Sequence, residues 1–273
     1  MDVAVDALRP LQGTSGGTGF ETACASRTRA LLSEWEAFAA RTPRVNLRVV
    51  GRVDCHGQII PIIALHVEGG PRRALLVSGI HGDEPAGPEA LKRFFLEGSF
   101  EAFLGRWTFD VLPLASPCGH AAGTRATPRC EDPNREFPGT GACAETAILA
   151  GFVEGGRWDV LISLHEDCDA DGIYLYDSGT RDREDFLNAL GESGRWLSEC
   201  EAAGFLVSSV PFIDGSVNHG GIIVGSDTDF PAFEPAMYRT GQTDRAVVVE
   251  TPSEWGFEER VAVHISALDH YLG

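Results

Sequence analysis

Residues 75–91 read LLVSGIHGDEPAGPEAL, an apolar run that breaks into a histidine, two acids and two prolines. Leu75–Ile80 is uncharged and aliphatic, as expected of a strand buried on both faces of a parallel sheet. Gly82 lets the backbone turn sharply, Pro85 closes the turn, and a helix is expected near Glu89 to Leu96. His81 and Glu84 are therefore delivered to the carboxyl end of a buried strand. In an open α/β sheet, ligands collect in the crevice beyond such ends.

The same strand, loop, helix order continues along the chain. TFDVLPLAS, DVLISLHED, GIYLYD, FLVSSVPF and AVVVETP read as further strands, and helices are expected near Cys143 to Val153, Arg183 to Ala203 and Phe257 to Tyr271. Upstream, Thr22 to Arg41 has helical spacing and is closed by Thr42-Pro43. Arg44 to Val53 and Gln58 to Val67 read as an antiparallel pair at one sheet edge, where Pro61 is tolerated. This alternation predicts an α/β fold with a largely parallel sheet covered on both faces. Two irregular stretches, at about 116 to 141 and 213 to 245, exceed ordinary loop lengths and are expected to be functional.

Length and composition narrow the classes. With 273 residues and no long linker, a single domain spanning 1–273 is expected, and 43% hydrophobic with 23% charged residues is the balance of a soluble globular enzyme. No apolar run is long enough to span a membrane, and the first residues lack a basic segment before an apolar core, so a cytoplasmic protein is expected. The seven cysteines include no CxxC pair, which favours reduced thiols over a disulfide framework. A formal charge of −18 repels phosphate backbones and argues against nucleic-acid binding.

The chemistry lies at strand ends. His165 closes the strand LISLH, so two imidazoles and one carboxylate (His81, Glu84, His165) can form a three-ligand zinc set with a fourth position open to water or substrate. A turn with a capping acid is the plainer reading of HGDE. Glu250, leaving the strand VVV, can accept a proton from the attacking water or can be a rim acid paired to an arginine. Arg125 or Arg129 can stabilise an oxyanion or can be an ordinary loop cation. Arg135 beside Asn134 suits a planar carboxylate, the alternative being a capping Asn next to a surface Arg. Tyr238, in the second irregular stretch, is the preferred lid over bound substrate, Tyr174 and Tyr176 sharing a strand face that can be core. Glu166 and Asp167 are candidates for a second metal site or for solvated acids. His120, His219 and His264 have no assignable partner, and Asp214, Asp227 and Asp229 are loop acids that could favour a cationic substrate, solvated loop acids being the plainer reading.

The pair His81 and Glu84, the segment SPCG…TR…DPNREFP, the strand-terminal His165 and VVVETP with Glu250 occur in the order found in the zinc carboxypeptidase (M14) family, which the chain resembles over residues 74 to 252. The resemblance implies a mixed eight-stranded sheet between helices and zinc-dependent hydrolysis of an amide next to a carboxylate. It implies zinc on His81, Glu84 and His165, and Asp132 orienting His81. It also implies Arg125, with Arg129 second, at the scissile carbonyl, Asn134 and Arg135 on the substrate carboxylate, and Glu250 as general base. Three departures concern the substrate more than the chemistry. Ser116-Pro117-Cys118-Gly119 replaces the usual Asn-Pro-Asp-Gly. The interval between His81 and His165 is nearer that of small bacterial members, aspartoacylase and succinylglutamate desuccinylase. Glu166-Asp167 follows His165. The readings carried forward are a metallocarboxypeptidase acting on a short peptide or cell-wall peptide, an N-acyl-amino-acid amidohydrolase, and a binding module that has lost catalysis.

Overall fold

The structure, a computed structural model, describes residues 19–127, 132–138, 143–170, 172–178, 222–224 and 232–273. Eight strands form one mixed sheet in the order β1-β2-β4-β3-β5-β8-β6-β7. They are β1 (Val45–Cys55), β2 (Gln58–Val67), β3 (Arg72–Ser78), β4 (Trp107–Leu112), β5 (Val160–Asp167), β6 (Tyr174–Asp177), β7 (Ile222–Val224) and β8 (Ala246–Pro252). The helices are α1 (Gly19–Arg41), α2 (Ala86–Leu96), α3 (Pro117–Ala122), α4 (Ala144–Val153), α5 (Phe233–Arg239) and α6 (Phe257–Leu272).

The expected edge hairpin is present. β1 and β2 pair antiparallel from Val45↔Val67 to Cys55↔Gln58, and the chain turns through His56 and Gly57, both at positive φ (52° and 83°). Two such residues suit the tight turn that follows the right-handed twist of a hairpin. Pro61 lies in the part of β2 that β4 does not reach, since β4 meets only Leu65–Val67.

The central strands β4, β3, β5 and β8 are mutually parallel. Ala74–Val77 is wholly buried, which explains why the run is aliphatic throughout instead of alternating. The chain leaves β3 for β4 on one side and later returns to β5 on the other. The order therefore reverses between β3 and β5, and the crevice beyond their carboxyl ends is where an open α/β sheet binds its ligands. His81 and Glu84 follow β3, and His165 lies near the end of β5.

The two faces carry different partners. On the face of Leu164 and Glu166, Glu166 accepts the Ala86 N–H at the start of α2 and pairs with Arg260 of α6, while Thr251 meets His264 of α6 at 3.3 Å. On the face of Ser163 and His165, Glu234 of α5 approaches the sheet. Trp35, Phe38, Phe95 and Phe100 pack edge to face or tilted under α1 and α2, with ring centroids 5.0 to 6.3 Å apart.

Both irregular stretches contain short helices, α3 in the first and α5 in the second. The expected helix at 183–203 and strand at 205–212 lie outside the described residues. The expectation of reduced thiols is corrected by a disulfide between Cys55, at the end of β1, and Cys118, in α3. These cysteines are 63 residues apart, and only the fold brings their Cα atoms to 5.2 Å. Among the described residues, Cys143 and Cys168 are free thiols. No helix among them is long and apolar enough to cross a membrane.

Candidate metal and substrate site

The turn after β3 is held from the α3 side. Gly82 donates its N–H to Thr124 O (3.1 Å), and a Cβ on Gly82 would lie 1.7 Å from the carbonyl carbon of Gly119. Only glycine allows this backbone-to-backbone approach. The contact seats the His81–Glu84 turn on α3, which the Cys55–Cys118 bridge ties to the sheet edge. Gly123 ends α3 in the left-handed conformation (φ 66°), and Arg125 follows two residues later.

His81, Glu84 and His165 are 2 to 4% exposed, and one ligand atom from each lies within 4.8 Å of the others. His81 Nδ1 is 2.5 Å from Glu84 Oε1, and His165 Nδ1 is 2.9 Å from Glu84 Oε2. Each imidazole turns its other nitrogen to a carboxylate. His81 Nε2 is 3.0 Å from Asp132 Oδ1, and His165 Nε2 is 3.0 Å from Glu234 Oε1. In the tautomer that donates both Nε2 protons outward, both Nδ1 lone pairs would point at Glu84, a concentration of electron pairs that only a cation, or a proton in its place, stabilises. Glu84 Oε2 is buried without an aligned hydrogen-bond donor, despite its closeness to His165 Nδ1.

The electrostatics agree. Burial alone would raise the pKa of Glu84, but His81 and His165 hold it down at about 2. Burial would lower that of His165, yet Glu84 and Glu234 lift it well above the ordinary histidine value, so positive charge is favoured at this point. Asp132 is held well below the usual carboxylate range against its own burial by His81 and Arg125. The donor set of two imidazoles and one carboxylate, the orphaned oxygen and the outer carboxylates all fit a divalent metal, zinc in particular.

Glu250 is the β8 residue directly opposite His165 of β5, and Tyr174 of β6 is opposite Glu250 on the other side. The register puts all three on one face of the sheet. Burial pushes the Glu250 carboxyl up to about 8, His165 and Arg125 opposing the rise while Glu84 and Asp167 add to it. A partly buried acid beside a candidate cation-binding set is the usual environment of a proton-transfer group.

Asp132 starts the DPNR turn, its Oδ1 accepting the Asn134 N–H at 2.9 Å. Arg125 donates through Nε (2.9 Å) and Nη2 (2.7 Å) to Asp132 Oδ2, and its Nη1 is 3.5 Å from Glu84 Oε1. Its guanidinium thus sits beside the candidate metal ligands, while Arg129 lies outside the described residues. Arg135 is 42% exposed, its Nε 4.0 Å from Asp132 Oδ2. Asn134 is buried, donating from Nδ2 to Glu234 Oε2 (3.1 Å) and accepting the Phe233 N–H at Oδ1 (2.9 Å).

Several expectations change. Tyr238 lies on α5, not in a loop, and its ring packs against the hydrophobic core. The tyrosines beside Glu250 are instead Tyr174, which donates to Asp167 Oδ2 at 2.6 Å, and Tyr176, whose hydroxyl feels the charges of Glu250, Asp167 and Arg135. Glu166 and Asp167 alternate across the sheet: Glu166 is fixed to Arg260 on the face away from His165, so the two acids do not converge on a second metal. Asp167, Cys168 and Asp169 come close together at the strand end, Asp167 partly buried and the other two exposed. His120 meets Thr28 Oγ1 at 2.8 Å and His264 meets Thr251, so both are structural. His219, Asp214, Asp227 and Asp229 lie outside the described residues. Glu234 was missed altogether. The acid and proline opening FEPAM are a helix-start signal that could have located α5, but nothing in the sequence aims that acid at His165.

Residues 71–193 match the family model of the succinylglutamate desuccinylase/aspartoacylase catalytic domain, a span that holds His81, Glu84, Arg125, Asp132, Asn134, Arg135 and His165. No curated protein matches the chain in sequence. Among solved structures, a provisionally named metallopeptidase from Shewanella denitrificans is similar at 25% identity and TM-score 0.73, over 91% of this chain and 90% of that one. A metallo-carboxypeptidase from Burkholderia cenocepacia is similar at 16% identity and TM-score 0.62, over 90% and 68%. A succinylglutamate desuccinylase from Silicibacter is similar at 17% identity and TM-score 0.53, over 84% and 66%. The fold is similar to that of these structures, and the matched segment holds the motifs on which the family resemblance was read from the sequence.

Proposed function

We propose that the protein is a zinc-dependent metallocarboxypeptidase that hydrolyses the amide bond next to a free carboxylate in a short peptide or cell-wall peptide. The observation that carries this reading is the convergence of His81, Glu84 and His165 at the β3/β5 switch point, with Glu250 on the neighbouring strand of the same face. It also favours an enzyme over a binding module, which would have no use for a partly buried proton acceptor beside such a set.

His81 Nδ1, Glu84 and His165 Nδ1 would hold the metal, which when bound acts as a Lewis acid and makes water nucleophilic near neutral pH. Glu250 takes the proton of the attacking water and returns it to the leaving amine. Arg125, anchored on Asp132, donates to the oxyanion that develops on the scissile carbonyl. Arg135 offers a two-pronged donor to the substrate carboxylate, and the remaining Asn134 amide N–H adds a further donor. Tyr176, near Arg135 and Glu250, takes the place beside bound substrate that Tyr238 does not occupy.

A specific observation favours a second reading, an N-acyl-amino-acid amidohydrolase: the matched family model is that of desuccinylases and aspartoacylases. Both substrates end in a carboxylate next to the scissile amide, so the same residues serve either. The substrate is a small molecule or short peptide, and the expectation of a cytoplasmic protein is tested by whether Cys55 and Cys118 are joined in protein isolated under thiol-blocking conditions.

The test is a panel of free-acid peptides, their C-terminal amides and N-acyl amino acids, run with the unmodified protein and with Arg135→Met. The expected result is poor cleavage of the amides and a KM raised at least about tenfold in the variant, for loss of a charge-assisted pair worth ~1.5–3 kcal/mol. Turnover of N-acyl amino acids with none of peptides would favour the second reading. Equal cleavage of acids and amides would overturn carboxylate recognition while leaving the metal centre untouched.

A further inference from the structure

Each metal-facing imidazole backs onto a carboxylate, and each carboxylate also grips a residue of the substrate side. Asp132 does so for His81 and Arg125. The counterpart for His165 is Glu234, which is 2% exposed. Its Oε1 accepts from Ser163 Oγ at 2.7 Å and faces His165 Nε2 at 3.0 Å, and its Oε2 accepts from Asn134 Nδ2 at 3.1 Å. The preceding residue, Phe233, donates its N–H to Asn134 Oδ1, so two consecutive positions at the start of α5 fix both ends of one carboxamide.

We propose that Glu234 is a positioning residue that couples metal binding to recognition of the substrate carboxylate. It holds His165 with the proton on Nε2, leaving the Nδ1 lone pair for the metal, and it fixes which way Asn134 presents its remaining N–H. A carboxylate does this because it is acceptor-only and meets three donors: a hydroxyl, an imidazole N–H and an amide N–H. A glutamine in its place must turn an NH2 toward at least one of them. Whichever way it turns, either Asn134 faces another amide donor and tends to flip away from the Phe233 N–H, or His165 loses its acceptor. A metal ligand and a substrate contact 31 residues apart in sequence thus share one anchor from a third segment.

The proposal rests on the metal and carboxylate roles given above, and its test separates the two. Zinc affinity is measured by competition with a chromophoric chelator, and KM and kcat are measured at saturating zinc, for the unmodified protein, Glu234→Gln, Asn134→Ala and Ser163→Ala. Outer partners of metal ligands are worth about 10–100-fold in affinity. Glu234→Gln is therefore expected to weaken zinc binding by about that factor and, with zinc restored, to raise KM for a free-acid substrate more than it lowers kcat. Asn134→Ala, which touches no metal ligand, is expected to weaken zinc binding severalfold through the relaxed Glu234, and Ser163→Ala, which removes a donor from the oxygen that faces His165, is expected to weaken it in the same direction. If Glu234→Gln does not fold, the zinc affinity of Asn134→Ala decides. Wild-type zinc affinity in Asn134→Ala, or weakened zinc binding in Glu234→Gln with an unchanged KM, would overturn the coupling. An unmodified protein that binds no zinc would overturn the metal-centre reading as well.

Discussion

Replacing His165 with Ala is expected to abolish metal uptake and turnover together. The imidazole is 2% exposed near the end of β5 and, among the described residues, is one of three side chains that converge on the candidate metal position. Removing it leaves one imidazole and one carboxylate, below the three protein ligands usual for a catalytic zinc. The expected loss of affinity exceeds the ~100-fold that an outer partner costs. No neighbour replaces it, because Asp167, the next residue on that face, is engaged by the Tyr174 hydroxyl and the Asp169 N–H. The fold should survive, since β5 is paired with β3 from Val160 to Leu164 and with β8 from Leu161 to Asp167. Metal content by elemental analysis and a thermal melt of the same sample check both points. Full zinc occupancy in His165→Ala would contradict the ligand assignment.

Glu250→Gln is expected to keep the metal and the fold while turnover falls by about 10²–10⁴-fold, the range a positioned general base contributes. The amide preserves the side-chain shape on β8, between His165 of β5 and Tyr174 of β6, but cannot accept the proton of the attacking water. The loss should appear in kcat with little change in KM, because the group acts in the transition state and does not grip the substrate. Near-normal turnover would mean that another group takes the proton, and Asp167, on the same face two residues beyond His165, would be the next to test.

What the sequence made legible follows from how local each signal is. An aliphatic run ending in HGDE marks β3 and the turn that carries His81 and Glu84, because burial on both faces removes alternation and Gly82 removes the helix option. His165 and Glu250 are legible for the same reason, each being the ionisable residue at the end of an apolar strand. Arg135 is legible from standing beside Asn134, a pair that suits a planar carboxylate, whereas Asp132 is indicated only by the family resemblance. What stayed hidden depends on contacts between distant segments. The Cys55–Cys118 bridge requires the end of β1 to meet α3. The role of Glu234 requires α5 to cross over β5, and no spacing within FEPAMYR encodes that meeting. Tyr238 was misplaced because a seven-residue helix closed by Thr240-Gly241 was read as part of a long loop, although Glu234-Pro235 at its start was the cue. Glu166 and Asp167 looked like a pair in sequence, but the two-residue period of a strand sends neighbouring side chains to opposite faces.

The central claim, a metal held by His81, Glu84 and His165, is tested most directly by zinc K-edge X-ray absorption on protein loaded with one equivalent of zinc. The account predicts a first shell of nitrogen and oxygen only, with the outer-shell scattering pattern of two imidazoles. A sulfur scatterer in the first shell, as from Cys168 in the nearby Asp167–Asp169 cluster, or the absence of imidazole scattering, would contradict it.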